Sequence, residues 1–494
     1  MPNNPVLILH GWSDNYESFI PLKQWLCAQG YQAQQVFFGN YESMEDHVTF
    51  DDLADGLQTR FEDMVKLGKI PSLKPFSLDV VVHSTGGLVV RHWLYHYIED
   101  VCNGDVEKCP IRHLIMLAPA NFGSRLAEQG NSGLAKLFKG GLEHGFQTGK
   151  VILQGLELGS PVTWRIAEQD LFSDRKVYRC PGNKGPFVFI FSGTHTYGEL
   201  KGFVAEGANE DGSDGTVRAS AASLNSIKIT ADFTRPDDPR AKASLGNYDP
   251  FAFALIPGKN HSEIVPSDPH DATHPIFKKI KDCLDVQTDQ KYDELRIQFE
   301  GANKAFYESE AAAVKKNEKD DGERVHQYQQ FLVHVVDDME NDVTDYRIEF
   351  HVVDDTIRQS TWDAKNPDTL KPLKRYQKLT QFLQDEVVAD VNKHSVDPSY
   401  RTLFINLDKL DELQDLMKGS PGTYIGMNID ALGPTKELSY NTDQLRYLPV
   451  EIKIPDNRGG QVDFFKANTS TLVEIQLQRV PGTGVFEILW DKKP

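Results

Sequence analysis

One short run of the sequence places a serine between an apolar segment and two glycines, an arrangement that suits nucleophilic chemistry. Residues 81–88 read V-V-H-S-T-G-G-L, so Ser84 follows an apolar run and precedes residues small enough to open a helix. A serine at a sharp strand-to-helix turn exposes its hydroxyl, and small neighbours let the strand and the helix approach each other. Val82 stands where the G-x-S-x-G pattern has its first glycine. The run predicts a nucleophilic Ser84, with an ordinary buried serine in a βα turn as the alternative.

A nucleophilic serine needs a base, an acid that orients the base, and donors for the oxyanion. Among the 15 histidines, His261 follows the last apolar run of the first half, and we take it as the base. For the acid, Asp214 lies in the run G-S-D-G-T-V, where glycines on both sides permit a tight turn. Asp211 and then Asp249 are the alternatives. A solvated Gly/Asp-rich turn or a weak calcium loop is the non-catalytic interpretation, and an EF-hand is excluded because its ligand spacing is missing.

The turn after the first apolar run is the candidate source of the oxyanion donors. Residues 10–12, H-G-W, follow residues 6–9 directly, so the backbone N–H of Trp12 can face a substrate. The second donor is expected to be the N–H of Thr85, the residue after the nucleophile. The candidate lining of the acyl pocket is Trp12, Phe122 and Leu126.

Short β-rich runs alternate with helical patterns over residues 1–285, which is typical of an α/β domain with a mostly parallel sheet. The predicted strands cover residues 6–9, 33–38, 78–82, 112–117, 186–191 and 251–256, and the predicted helices residues 18–29, 50–67 and 86–98. An apolar, Gly-rich insertion at about 124–176 has no strand pattern. It predicts short helices that either cover a cleft as a lid or simply pack on the domain.

The pattern changes after residue 285, and residues 286–494 predict a β-rich C-terminal domain with a few helices. A charged helical pattern at 289–330 precedes the β-rich segments, and further helical patterns lie at 370–392 and 408–418. This domain is either a structural support for the first or a module for assembly and membrane association. The apolar run F-E-I-L-W at 486–490 favours contact with a partner or a lipid.

Composition excludes several classes of protein. The 494 residues carry a net charge of −19, which argues against a nucleic-acid binder, because such a protein needs a basic surface. No apolar run approaches the ~20 residues of a membrane span, and the first residues lack the pattern of a signal peptide. The five cysteines include no C-x-x-C pair and no H-E-x-x-H motif occurs, so no metal site is predicted. Cys102 and Cys109 are expected to be reduced thiols, with a bridge after export as the alternative.

Together these motifs resemble the α/β-hydrolase lipases over residues 5–280. The resemblance rests on five runs: H-G-W at 10–12, V-H-S-T-G at 82–86, L-A-P-A-N-F-G-S at 117–124, S-D-G at 213–215 and N-H at 260–261. The H-S-T-G-G form of the serine turn and the C-terminal domain resemble, more narrowly, the bacterial cell-associated phospholipase A/lysophospholipase A group (PlaB-type).

That resemblance implies hydrolysis of acyl esters of glycerophospholipids and lysophospholipids through an acyl-enzyme on Ser84. It also implies a bacterial homo-oligomer, cytoplasmic or peripherally bound to a membrane, on the outer membrane or cell surface, with a nicotinamide dinucleotide as a bound regulator. No G-x-G-x-x-G follows a strand, and catalysis itself requires no cofactor or metal. Triacylglycerol lipase, carboxylesterase and acyltransferase stay open because they share the triad. A non-enzymatic scaffold is the remaining alternative, and it predicts a broken triad.

Overall fold

The computed structural model describes residues 4–12, 14–70, 73–128, 149–180, 182–197, 209–235, 240–246, 250–355, 367–419, 422–442, 445, 448–450, 453–456 and 459–486. The chain divides into two compact units, each made of several segments. Unit 1 comprises Met1–Ser226, Leu245–Gln327 and Asn468–Ser470. Unit 2 comprises Ile227–Ser244, Tyr328–Ala467 and Thr471–Pro494.

The strands are numbered here in chain order. They are β1 (Val6–Leu9), β2 (Val36–Gly39), β3 (Leu78–His83), β4 (Ile111–Leu117), β5 (Phe187–Gly193), β6 (Ile227–Phe233), β7 (Arg240–Leu245), β8 (Ala252–Ile256), β9 (Tyr328–Asp337), β10 (Tyr346–Asp354), β11 (Val388–Lys393), β12 (Tyr400–Asn406), β13 (Thr423–Ala431), β14 (Leu438–Tyr440), β15 (Leu448–Pro449), β16 (Lys453–Pro455), β17 (Gln461–Asp463), β18 (Thr469–Leu477) and β19 (Arg479–Pro481).

The α-helices follow the same convention. They are α1 (Ile20–Ala28), α2 (Phe50–Lys66), α3 (Gly86–His96), α4 (Arg125–Glu128), α5 (Lys150–Leu156), α6 (Pro161–Ala167), α7 (Ala219–Ala222), α8 (Pro275–Leu284), α9 (Asp289–Lys315), α10 (Pro367–Phe382) and α11 (Leu407–Met417).

Unit 1 is built on a six-stranded sheet in the order β2-β1-β3-β4-β5-β8. All five neighbouring pairs are parallel. Strands β3 and β5 are buried along their whole length, which explains why their apolar residues do not alternate with polar ones, apart from Asp79 near the start of β3. Parallel strands end at the same edge of the sheet, so this arrangement brings the turns after β1, β3 and β5 together. The predicted α/β-hydrolase fold is confirmed.

The start of the second strand differs from the sequence prediction. The strand predicted at 33–38 begins only at Val36, because Ala33–Gln35 form a 3₁₀ turn. The side chains of Gln32 and Gln35 close that turn as a reciprocal cap.

Helix α9 belongs to unit 1, although the sequence prediction ended the first domain at residue 285. The side chains of Tyr292, Leu295 and Phe299 are part of the same buried cluster as β5 and β8. The hydroxyl of Tyr292 donates to the carbonyl of Val188 at 2.8 Å, and the amide of Asn303 exchanges two hydrogen bonds with the backbone of β8. This packing extends unit 1 to Gln327.

Unit 2 is β-rich with a few helices, as predicted. A six-stranded sheet has the order β11-β12-β9-β18-β6-β7, and a three-stranded sheet the order β10-β13-β15. The helix predicted at 370–392 is wrong at its end: α10 stops at Phe382, a π-turn follows, and β11 pairs antiparallel with β12. Strands β6 and β7 were not predicted, and they come from residues inside the predicted first domain.

Several sequence predictions concern residues outside the described part of the chain. The predicted insertion contains the short helices α4, α5 and α6, but residues 129–148, on which a lid would depend, are not described. The apolar C-terminal run is described only up to Phe486, whose side chain is exposed. Among the described helices, none is long and apolar enough to cross a bilayer. The five cysteines are free thiols, with Cys102 and Cys109 both buried.

Candidate active site

Ser84 lies at the turn between β3 and α3 with its backbone in the left-handed region, at φ 52°. A non-glycine residue in this region is strained, and such strain is typical of functional turns. The close packing around it explains the nearby glycines: a Cβ on Gly11 would lie 2.6 Å from Ser84 Cβ, and one on Gly86 would lie 2.7 Å from the His10 carbonyl. Val82, which departs from the glycine pattern, is fully buried within the sheet.

The side chains of Ser84, His261 and Asp214 form one hydrogen-bonded chain. His261 Nε2 lies 3.0 Å from Ser84 Oγ, and His261 Nδ1 lies 2.9 Å from Asp214 Oδ2. Asp214 and His261 are almost completely buried, whereas Ser84 keeps 9% of its surface exposed. The geometry allows His261 to accept the serine proton while its Nδ1–H donates to the carboxylate. The three residues named from the sequence are therefore brought together in one site.

The loop that carries Asp214 is held by its own backbone. The second carboxylate oxygen accepts hydrogen bonds from the N–H groups of Thr216 at 3.0 Å and Val217 at 2.7 Å. The backbone N–H of His261 donates to the Asp214 carbonyl at 2.9 Å, which ties the loop of the acid to the loop of the base. These contacts fix the carboxylate in the orientation that His261 needs.

Glu210 holds the same loop in place through contacts with two arginines. Its carboxylate accepts hydrogen bonds from Arg218 and Arg125 at 2.8 Å. Burial alone would raise the pKa of Glu210, but the two guanidinium groups hold it below its ordinary value. Glu210 therefore stays charged and keeps the residues beside Asp214 in place.

The alternative acid, Asp211, is engaged elsewhere. Its carboxylate accepts a hydrogen bond from Nδ1 of His326 at 2.7 Å, and the backbone N–H of His326 lies 3.3 Å from it. The structure thus brings Asp211 to His326 and not to His261. The third candidate, Asp249, lies outside the described residues.

His10 and Tyr41 clamp the turn that carries the Trp12 amide. Nδ1–H of His10 donates to the Gly11 carbonyl at 2.7 Å, and Nε2 accepts from the Tyr41 N–H at 3.2 Å. The Tyr41 hydroxyl donates to the His10 carbonyl at 2.9 Å, and the two rings stack with centroids 4.4 Å apart. Burial lowers the pKa of His10, so the neutral form is favoured. Thr85, the residue after Ser84, occupies the N-cap position of helix α3, whose positive N-terminal end favours negative charge that develops on an oxyanion beside it.

The predicted substrate-lining residues are all buried. Trp12 is 5% exposed, and Phe122 and Leu126 have no exposed surface. The Phe122 ring lies 5.8 Å from the guanidinium carbon of Arg91, which forms a bidentate ion pair with the buried Asp170. Phe122, in the loop that follows β4, is therefore held in a buried position.

Two residues that the sequence analysis did not place in the site also contact it. The hydroxyl of Tyr197 lies 3.1 Å from Ser262 Oγ and 3.4 Å from Thr216 Oγ1, so it bridges the loops of the base and the acid. The side chain of His83 is buried, and its Nε2–H donates to the His261 carbonyl at 3.0 Å. The sequence held one signal for each residue, its position: His83 ends β3, and Tyr197 follows the end of β5. Functional residues often lie at the carboxyl ends of parallel strands.

The titration of His83 predicts a pH dependence of stability. Burial, and then the neighbouring His261, lower the pKa of His83 to about 4. Because the unfolded chain takes up this proton near its ordinary pKa of ~6.5, the folded state loses stability as the pH falls from ~6.5 toward 4.

His83→Gln keeps a donor for the carbonyl but cannot titrate. Urea unfolding at about pH 7 and pH 4.5 should show the wild type losing about 2 kcal/mol more than the variant. Equal losses in the two proteins would contradict the burial of a neutral His83.

The chain is similar to a known bacterial lipolytic enzyme over nearly its whole length. The phospholipase PlaB from Legionella pneumophila aligns with 99% of this chain and 97% of its own, at 25% identity and a TM-score of 0.75. The same values hold for PlaB in complex with thio-NAD. The mature lipase BlEst2 from Bacillus licheniformis aligns with 56% of this chain and 92% of its own, at 14% identity and a TM-score of 0.36. No protein-family model matches the sequence, and no curated protein matches it.

The alignment with PlaB extends well beyond the α/β sheet, because it spans 99% of this chain. Within unit 1, the parallel sheet and the hydrogen-bonded serine, histidine and aspartate are the framework of a serine hydrolase. The chain thus has the α/β-hydrolase fold and is similar to PlaB over nearly its whole length, and its class of reaction is carboxylic-ester hydrolysis.

Proposed function

We propose that this protein is a serine phospholipase A that also hydrolyses lysophospholipids. The observation that carries the proposal is the continuous chain from Ser84 Oγ through His261 to the buried carboxylate of Asp214, at a strained turn. In the first half of the reaction, Ser84 Oγ attacks the ester carbonyl while His261 Nε2 takes its proton. Asp214 holds the required tautomer and stabilises the imidazolium that forms.

The backbone amides of Trp12 and Thr85 stabilise the oxyanion of the tetrahedral intermediate. The imidazolium of His261 then gives its proton to the departing glycerol oxygen, which leaves the acyl group on Ser84. In the second half, His261 takes a proton from water while the water oxygen attacks the acyl carbon. The bond between that carbon and Ser84 Oγ then breaks, the imidazolium returns its proton to Ser84 Oγ, and the free fatty acid departs. No step requires a metal ion.

The choice of phospholipid over other acyl esters rests on the likeness to PlaB. That protein is named as a phospholipase, and the likeness covers 99% of this chain at a TM-score of 0.75. Triacylglycerol lipase, carboxylesterase and acyltransferase use the same triad, so the substrate class is the part of the proposal that needs its own test.

A panel of lipid classes tests the substrate directly. We expect purified wild-type protein to release fatty acid from glycerophospholipids and lysophospholipids faster than from triacylglycerol or a short-chain carboxylic ester, all presented in the same mixed micelles. Ser84→Ala provides the blank for each lipid. A preference for triacylglycerol, or transfer of the acyl group to an alcohol in place of water, would assign one of the alternatives.

The same resemblance supports three further proposals: peripheral membrane contact, homo-oligomerisation through the C-terminal region, and binding of a nicotinamide dinucleotide. The turn after β1 does not fit the pyrophosphate of such a dinucleotide, because it carries Trp12 and is held by His10 and Tyr41. A dinucleotide site elsewhere on the chain rests on the resemblance and on the complex of PlaB with thio-NAD. Thermal unfolding with and without NAD tests it.

A further inference from the structure

Unit 1 contains a cavity between the edge of its sheet and helix α2, which we call the α2 cavity. Its volume is about 480 Å³. Leu7 and Leu9 of β1 and Phe37 of β2 line it on the sheet side, and Leu53, Leu57 and Met64 of α2 line it on the helix side. The cavity is half open to solvent, and an apolar space of this size can hold a small molecule.

Helix α2 packs mainly against α3. Phe61 contacts Trp93 with ring centroids 5.1 Å apart, and Gln58 accepts a hydrogen bond from the Trp93 indole at 3.0 Å. Along the cavity, α2 has a glycine at position 56, where an added Cβ would meet no atom within 4 Å. Glycine is a poor helix former, so a larger side chain at position 56 can occupy part of the cavity without opposing the 17-residue helix.

The shape of the α2 cavity suits one extended hydrocarbon chain. Its lining follows α2 from Asp52 to Met64, a distance of about 18 Å at ~1.5 Å per residue. One acyl chain spans half of the ~30 Å hydrocarbon core of a bilayer, about 15 Å. The volume falls within the ~300–1,000 Å³ of small-molecule sites, and the lining is mainly apolar, as a hydrocarbon chain requires.

The polar groups of the lining suit an amphiphile. Asn40, Asp52 and Arg60 are exposed residues at its rim, so a polar head group can remain in water while the chain is buried. Tyr41, which clamps the oxyanion turn through His10, also lines the cavity. None of its described lining residues belongs to the triad, so binding in this cavity can be measured separately from acylation of Ser84.

We propose that the α2 cavity binds the single acyl chain of a free fatty acid or of a lysophospholipid, independently of the reaction at Ser84. The inference goes beyond the proposed function and does not depend on it, because binding can be measured in a protein that cannot hydrolyse esters. The occupant's chemistry is that of the proposed product, one long acyl chain with one polar head.

Displacement of a fluorescent fatty acid tests this in the full chain carrying Ser84→Ala. We expect saturable binding that is displaced by long-chain fatty acid or by lysophospholipid, and not by a short-chain acid. Comparison of the two long-chain probes tells which head group is preferred. Gly56→Phe fills the cavity and should weaken binding at least tenfold, with Gly56→Leu as a smaller filling variant. Gly301→Phe is the matched control, because Gly301 also lies inside a helix with no atom near an added Cβ.

Loss of binding in the Gly56 variants but not in Gly301→Phe supports the proposal, provided that the same Gly56 substitutions on the Ser84 background leave short-chain ester hydrolysis unchanged. Absence of saturable binding, or binding that the folded Gly56 variants retain, would overturn it. Loss of long-chain hydrolysis in parallel with loss of binding would also overturn it, because the cavity would then hold the chain attached to Ser84. Failure of the proposed function would appear instead as a lack of phospholipid hydrolysis by the wild type.

Discussion

Ser84→Ala should abolish ester hydrolysis and leave the fold intact. The substitution removes one hydroxyl, but that oxygen is the atom that His261 Nε2 contacts at 3.0 Å and the only nucleophile in the proposed reaction. Removing the serine of a triad costs about 10⁶-fold in turnover, since the remaining groups cannot form the acyl-enzyme. Fatty-acid release from a phospholipid measures the loss, and thermal unfolding reports on the fold.

Ser223→Ala is the matched control for this experiment. Ser223 is fully buried, and its hydroxyl accepts a hydrogen bond from the Asn225 N–H at 3.1 Å, so its loss is also that of one buried oxygen. We expect this variant to keep near wild-type turnover. Activity of Ser84→Ala close to that of the control would show that the nucleophile lies elsewhere.

Asp214→Asn should lower turnover by about 10⁴-fold, the cost of holding the base in the wrong tautomer. The carboxylate accepts a hydrogen bond from His261 Nδ1, whereas an amide that donates to this nitrogen would leave the proton on Nε2, where Ser84 must deliver its own. The buried N–H groups of Thr216 and Val217 can still bond the remaining oxygen, so the loop should stay in place. Steady-state kinetics with a soluble ester measures the loss.

Asp211→Asn is the internal comparison for Asp214. It weakens the contact with His326 and should cost about 1–3 kcal/mol of stability, with little effect on turnover. A large loss of turnover in Asp211→Asn with a small one in Asp214→Asn would move the acid to Asp211. Measuring kcat and the free energy of unfolding for both variants separates the two roles.

The parts of the fold that local sequence determines could be predicted well. Strand β5 and the central residues of β3 and β4 are buried on both faces, so they read as apolar runs without alternation. The serine turn has glycines that close packing requires. The candidate triad could be named because each of Ser84, Asp214 and His261 lies in a distinctive local run of the sequence.

Features set by distant contacts could not be predicted. Strand β6 pairs with β18, which lies far along the chain, so no local pattern shows that it belongs to unit 2. Helix α9 has many charged residues, and its packing against β5 and β8, which the sequence does not show, places it in unit 1. His83 contacts the backbone carbonyl of His261, which any residue would offer, so this pairing leaves no trace in the residue types.

Reaction with a fluorophosphonate tests the central claim, that Ser84 is the nucleophile and His261 its base, most directly. Such a reagent phosphonylates an activated serine, and mass spectrometry of the digested protein identifies the modified residue. The account predicts one adduct per chain, on the peptide that contains Ser84, with none on that peptide in Ser84→Ala and much slower labelling in His261→Ala. An adduct on another residue, or labelling of Ser84 at the wild-type rate in His261→Ala, would contradict it.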